Sequence, residues 1–229
     1  MAPKLLIVLT SAATYGENKP TGWYLPELAH PYHILSPHTE ITFASPLGGV
    51  APIDPYSIEA TKDDPICTSF YATKKDLWTN TAKLSTFLGR ASEFDAVFYP
   101  GGQGPMFDLA TDESSHKLIN EFADAKKVIA SVCHGPAAFA FVKRPDGTPF
   151  LKGAKVTGLK DSEERALGTD KDMPFLLEAE LKKVCGEYIC AGDFEPCVVV
   201  DRERKLITGQ SPPSSVDVGK AILDALTKW

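Results

Sequence analysis

Seven short apolar runs, most of them rich in β-branched residues, recur along this chain and restrict the architecture it can adopt. They are LLIVLT (5–10), ITFAS (41–45), AVFYP (96–100), KVIASV (127–132), AKVTG (154–158), PCVVV (196–200) and KLITG (205–209). Runs of this length without polar alternation are the mark of strands buried on both faces of a sheet. Between many of them lie segments with helical spacing, at 76–88, 113–125, 174–184 and 215–229. Alternating strands and helices favour an α/β fold, a mostly parallel sheet sandwiched by helices. Residues 45–75 are rich in Pro, Gly and Asp with weak periodicity, and they read as a loop-rich insertion. No linker or repeat divides the chain, so one domain over 1–229 is expected.

A chain of 229 residues can bury a sizeable core without covalent staples. Its five cysteines, at 67, 133, 185, 190 and 197, are an odd and scattered set, which suits a reducing compartment and leaves at least one thiol free. The last three are spaced C-x4-C-x6-C with no histidine after residue 134, which matches no common zinc pattern, and no metal is expected. A formal charge of −6 argues against nucleic acid or an anionic membrane as partner. The N-terminal apolar core is only LLIVL, shorter than the ~7–15 residues of a signal sequence, and it suits a first strand over 4–10. No other run approaches the ~18 residues of a membrane span. These features point to a cytoplasmic protein, with nuclear entry undetermined.

The stretch KKVIASVCHGPAAFAF (126–141) ends a strand at Cys133 and His134 and begins a small-residue helix at once. In open α/β sheets, ligands bind outside the carboxyl ends of the strands, where Cys133 would lie. A helix start just after it would lower the thiol pKa through free N–H groups and the helix dipole. A sharp turn there would also aim the N–H of His134 at an oxyanion. FYPGGQGP (98–105) offers a second glycine-rich strand end, where Gly101 or Gly102 can approach the same oxygen. Against this stands a plainer reading, in which the cysteine is a small buried hydrophobe and the glycines merely make turns. The adjoining histidine, the second glycine-rich corner and the lack of a G-x-G-x-x-G pattern favour the nucleophile.

VCHGPA, YPGGQGPMFDL and TGWYLPELAHPY (21–32), followed in order by VTGLKDSEE and LITGQSPPSS, together resemble one family. It is that of the glutathione-independent glyoxalases (glyoxalase III), the heat-shock chaperone-like branch of the PfpI-type class I glutamine amidotransferase-like superfamily. The resemblance implies a flavodoxin-like sheet, a Cys-His-acid triad and a separate Glu contacting the thiol. Cys133 and His134 match the Cys-His pair. The acid would lie in 160–164, which offers Asp161, Glu163 and Glu164, and register from Gly158 favours Glu164. The same cluster also suits an ordinary first turn of a helix. Glu27 matches the early Glu. Trp23, Tyr24, Leu25 and Leu28 around it, with Pro26 fitting a helix start, suggest burial that would raise its pKa. His30 lies in the matching HPY and either shapes the pocket or packs, whereas His33, His38 and His116 read as structural or exposed.

The implied activity is conversion of methylglyoxal and related 2-oxoaldehydes to D-lactate through a hemithioacetal on Cys133, the reaction of a glyoxalase III or D-lactate dehydratase, a lyase. It needs no cofactor, takes a small-molecule partner and is compatible with a homodimer. Two readings from other classes stand beside it: a stress-inducible holdase chaperone, and a redox sensor built on a low-pKa Cys133. A peptidase is disfavoured, because nothing in the sequence marks an extended peptide cleft.

Overall fold

The computed structural model describes residues 2–229. In chain order its strands are β1 (Lys4–Val8), β2 (Thr14–Tyr15), β3 (Lys19–Pro20), β4 (Glu40–Ser45), β5 (Ala82–Lys83), β6 (Ala96–Tyr99), β7 (Val128–Val132), β8 (Lys155–Val156), β9 (Glu187–Tyr188), β10 (Val198–Asp201) and β11 (Leu206–Gly209). Seven form a central sheet in the order β10-β11-β7-β6-β1-β4-β5. Every neighbouring pair is parallel except β10 and β11. The stretch β4-β1-β6-β7-β11 has the flavodoxin-like order, in which the chain first winds outward one way from β1 and then the other. A crevice opens where the winding reverses, beyond the carboxyl ends of β1 and β6, and β7 ends beside it.

The apolar runs dictate this core. β6, β7 and β11 are buried along their whole length, and β1 from Leu5 to Val8. Burying each large aliphatic side chain contributes about 1.5–3 kcal/mol. The helices are α1 (Leu25–Leu35), α2 (Pro55–Ala60), α3 (Pro65–Thr73), α4 (Asp76–Thr79), α5 (Glu113–Asp124), α6 (Ala137–Ala140), α7 (Asp161–Leu167), α8 (Leu177–Val184) and α9 (Ser215–Lys228). α1 and α9 pack together, and α9 lies over β7 and β11. Its buried Val218, Ile222 and Ala225 recur at helical spacing, as do Leu118, Ile119 and Phe122 of α5. Among the described residues no helix is long and apolar enough to cross a membrane.

Three segments differ from the sequence reading, each for a local reason. The insertion at 45–75 carries more regular structure than a loop, because Asp54-Pro55 and Asp64-Pro65 each start a helix. Asp54 accepts the N–H groups of Tyr56 and Ser57, and Asp64 those of Ile66 and Cys67. Proline at the first helical position sacrifices no bond. The segment 76–88 is not one helix. α4 stops at Thr79, Asn80 leaves helical geometry, and Ala82–Lys83 pairs with the β4 edge before a 3-10 turn over Leu84–Phe87. Poor helix formers at Thr79, Asn80 and Thr81 let sheet pairing win. The strand expected at 154–158 lies outside the central sheet, where β8 pairs only with β9.

Asp112 caps α5 by accepting the Ser115 N–H at 2.7 Å. Asp112→Ala should therefore cost about 1 kcal/mol, seen as a fall of roughly 2–4 °C in Tm with an unchanged urea m-value. A Tm equal to that of the parent would show that water replaces the cap.

Candidate active site

β7 ends on a turn that holds Cys133 at φ +61°, a left-handed conformation few non-glycine residues adopt. Neighbouring backbone pins it from both sides. The Cys133 N–H donates to the Gly209 carbonyl at 3.0 Å, and the Cys133 carbonyl accepts from the Leu159 N–H at 2.9 Å. Gly135 makes the tight corner possible, since a Cβ there would lie 2.2 Å from the Tyr99 carbonyl oxygen. The His134 N–H has no acceptor among the described residues. The helix expected to activate the thiol is short, because α6 is a single turn beginning at Ala137.

Cys133 Sγ lies 3.5 Å from His134 Nδ1, and His134 Nε2 lies 2.5 Å from Glu164 Oε2. Both side chains of the His134–Glu164 pair are only 3% exposed. The second Glu164 oxygen accepts from the Thr169 hydroxyl. Burial pushes the Glu164 pKa up, but the charge and hydrogen bond of His134, with bonds from Thr169 and Gln103, bring it below the ordinary value. An ionised Glu164 keeps the proton on Nε2 and turns Nδ1, as an acceptor, toward the thiol.

Glu163, one residue earlier, is spent on the fold. It accepts from the Lys160 N–H at 2.8 Å at the start of α7, from the Phe194 N–H at 2.6 Å and from Gln210 Nε2 at 3.0 Å. Asp161 points toward α8, where it accepts from the Ala179 N–H. Of the three acids, Glu164 alone reaches His134.

Glu27 enters from the first turn of α1 and is fully buried. Its Oε2 accepts the Gly101 N–H at 2.8 Å, whereas Oε1 has no well-formed hydrogen bond. Burial lifts its pKa to about 8, against the lowering effects of Cys133 and Gly101. The Cys133 thiol is pushed up as well, by burial first and then by the charge of Glu27 and a hydrogen bond to it. Two expectations need correction. Cys133 is a buried thiol whose pKa is raised by burial and by Glu27, and the segment after it offers only a single helical turn to oppose that. The Gly101 N–H is committed to Glu27 and so is not a free oxyanion donor. Gly102, at φ +86°, lets the loop lie against residues 22–24 and borders the cavity.

The cavity, about 680 Å³, has Glu27, Cys133 and His134 on its wall. It is also lined by Tyr24, Asp54, Gln103 and Thr169, whose part in the site the sequence reading missed. Asp54 was signalled by its Asp-Pro dipeptide, but only as a cap. Burial raises the Asp54 pKa against the bonds it accepts from Ser57, Thr21 and Tyr56. His30 does not border the cavity; its Nε2 pairs with Asp64 Oδ2 at 2.7 Å. His116 bonds the Ala110 carbonyl oxygen at 2.9 Å and is structural.

The sequence profile of the DJ-1/PfpI family matches residues 72–225. Glutathione-independent glyoxalase HSP31 of Saccharomyces cerevisiae is 28% identical over 99% of both chains. Among solved structures, Rapid Encystment Protein 24 KDa of Francisella tularensis superposes with a TM-score of 0.91 at 33% identity, over 99% of this chain and 100% of that one. Glyoxalase III of Candida albicans superposes with a TM-score of 0.85 at 28% identity, over 97% of each chain.

A carboxyl that holds its proton more tightly when folded adds stability at low pH, and this contribution is lost as pH rises from 4.5 through about 8. Glu27→Gln, neutral throughout, should flatten that decline in urea midpoints measured across the interval. A variant curve parallel to the parent's would mean that Glu27 is already ionised in the folded protein.

Proposed function

Because this chain belongs to the DJ-1/PfpI family, we propose that it is a glutathione-independent glyoxalase, converting methylglyoxal and related 2-oxoaldehydes to D-lactate and its analogues. The observation that carries this reading is the meeting of Cys133, His134 and the protonatable Glu27 on one cavity wall, with Glu164 bonded to the far side of His134. The end-to-end match to a named glutathione-independent glyoxalase supports it. In this reading the whole chain acts as one domain, in the cytoplasm, where its five free thiols stay reduced.

The chemistry requires hydrogen to move between adjacent carbons and water to be added, with no net oxidation. Glu27 in its ionised fraction takes the thiol proton as Cys133 sulfur bonds to the aldehyde carbon. The resulting oxyanion is stabilised by the free His134 N–H and then protonated. Removal of the carbon-bound proton and its return to the neighbouring carbon, through an enediol, leaves a lactoyl thioester. Glu27 sits on the thiol side to shuttle that proton. Water, deprotonated by His134, cleaves the thioester and restores the thiol, while Glu164 steadies the imidazolium. The cavity exceeds what methylglyoxal fills and admits larger 2-oxoaldehydes.

D-lactate formation from methylglyoxal without glutathione should be lost in Cys133→Ser, and turnover near that of the parent would sink the covalent route. Glu27→Gln should lower kcat by about 10²–10⁴ with the fold retained, and an unchanged kcat would transfer the shuttle to His134. Glu164→Ala should likewise lower kcat by about 10²–10⁴, while Glu163→Ala should chiefly lower Tm. The reverse ranking would exchange the roles of the two glutamates.

A further inference from the structure

Away from the cavity, His30, Asp64 and Cys67 bring an imidazole, a carboxylate and a thiol together between α1 and α3, with their ligand atoms all within 4.8 Å of one another. We propose that these three side chains form a zinc site that ties α1 to α3, with water completing a tetrahedron. The proposal is independent of the glyoxalase chemistry, which uses none of them.

The donors are pre-arranged by the helices that carry them. Asp64 Oδ1 is held by the Ile66 and Cys67 N–H groups at 2.9 and 3.2 Å. That leaves Oδ2 facing His30 Nε2 at 2.7 Å, with Cys67 Sγ 3.8 Å from the same nitrogen. Zinc bonds of about 2.0 Å to nitrogen and oxygen and about 2.3 Å to sulfur put tetrahedral donors roughly 3.3–3.7 Å apart. The oxygen and nitrogen must therefore separate by about half an ångström and the sulfur close on the nitrogen by a few tenths, while sulfur and oxygen start within 4.8 Å of one another. Cys67 is wholly buried, whereas the His30 and Asp64 side chains are 18% and 28% exposed, leaving one open side for entry and for a water ligand. A mixed nitrogen, oxygen and sulfur set suits zinc and not magnesium or calcium. Thirty-four residues separate His30 from Asp64, so no local motif reveals the set. Because His30 follows Glu27 by one helical turn, a metal there stiffens the helix that delivers Glu27 to the thiol.

Cobalt(II) titrated into metal-free, reduced, full-length Cys133→Ser protein reads the site directly. The expected result is a single equivalent bound with tetrahedral d–d bands and a thiolate charge-transfer band. That band should disappear in the further Cys67→Ser variant, and His30→Gln should weaken binding by about 10-fold or more. Zinc should raise the Tm of the parent but not of these variants. Absence of the charge-transfer band in the folded parent overturns the proposal, and so does its persistence after Cys67→Ser, which would assign the metal to another thiol.

Discussion

The reactive end of this protein depends on one backbone turn, the left-handed Cys133 at the end of a strand buried on both faces. Such a conformation costs of order 1–3 kcal/mol and persists only where the surroundings over-determine it. Here the Gly209 carbonyl and the Leu159 N–H grip Cys133 from different elements, and the Gly135 N–H closes the turn on Val132. β11, the segment after β8 and the glycine corner thus share the task of aiming one sulfur. The sequence order of these elements is unrelated to their meeting, so the corner exists only when the sheet is complete.

Two buried glutamates, Glu27 beside that sulfur and Glu164 beyond His134, are treated oppositely. Glu164 is 2% exposed and Glu27 fully buried, so desolvation opposes ionisation of both. Glu164 meets His134, Thr169 and Gln103, which hold it below its ordinary pKa. Glu27 meets a thiol and two backbone N–H groups, which are not enough to offset burial. One carboxyl is therefore favoured as an anion and the other holds its proton toward neutrality, a division set by environment and not by residue type.

Much of this was legible in the sequence. The β-branched runs located the central strands because burial on both faces leaves no polar alternation to confuse them. Cys133 and His134 stood out at a strand end and Glu27 through the family resemblance, and the structure brings the three to one cavity. Glu164 was separated from Glu163 only by register, and the structure places Glu164 against His134 while Glu163 caps α7. The rest was hidden for physical reasons. A pKa depends on what surrounds a group in space, so the small-residue segment after Cys133 suggested an activating helix that proves to be one turn long. The Gly101 N–H looked free because its acceptor, Glu27, lies 74 residues away. The Asp-Pro caps of α2 and α3 were local and readable, but proline-rich composition masked them.

A nucleophile that rests as a thiol is consistent with the proposed chemistry. Oxidation and alkylation attack the thiolate, so a buried Cys133 with a raised pKa is guarded while the site is empty. An aldehyde entering the cavity changes the balance, because the charge that leaves sulfur ends on an oxygen beside the unpaired His134 N–H. The proton can pass at the same moment to Glu27, whose pKa of about 8 lies close enough to neutrality to accept and return it. In the proposed reaction, activation is thereby coupled to the substrate, and the carboxyl that raises the resting thiol pKa is the group assigned to receive its proton. Glu164 cannot exchange roles with Glu27: held as an anion by His134, it steadies positive charge on the imidazole and has no proton to give.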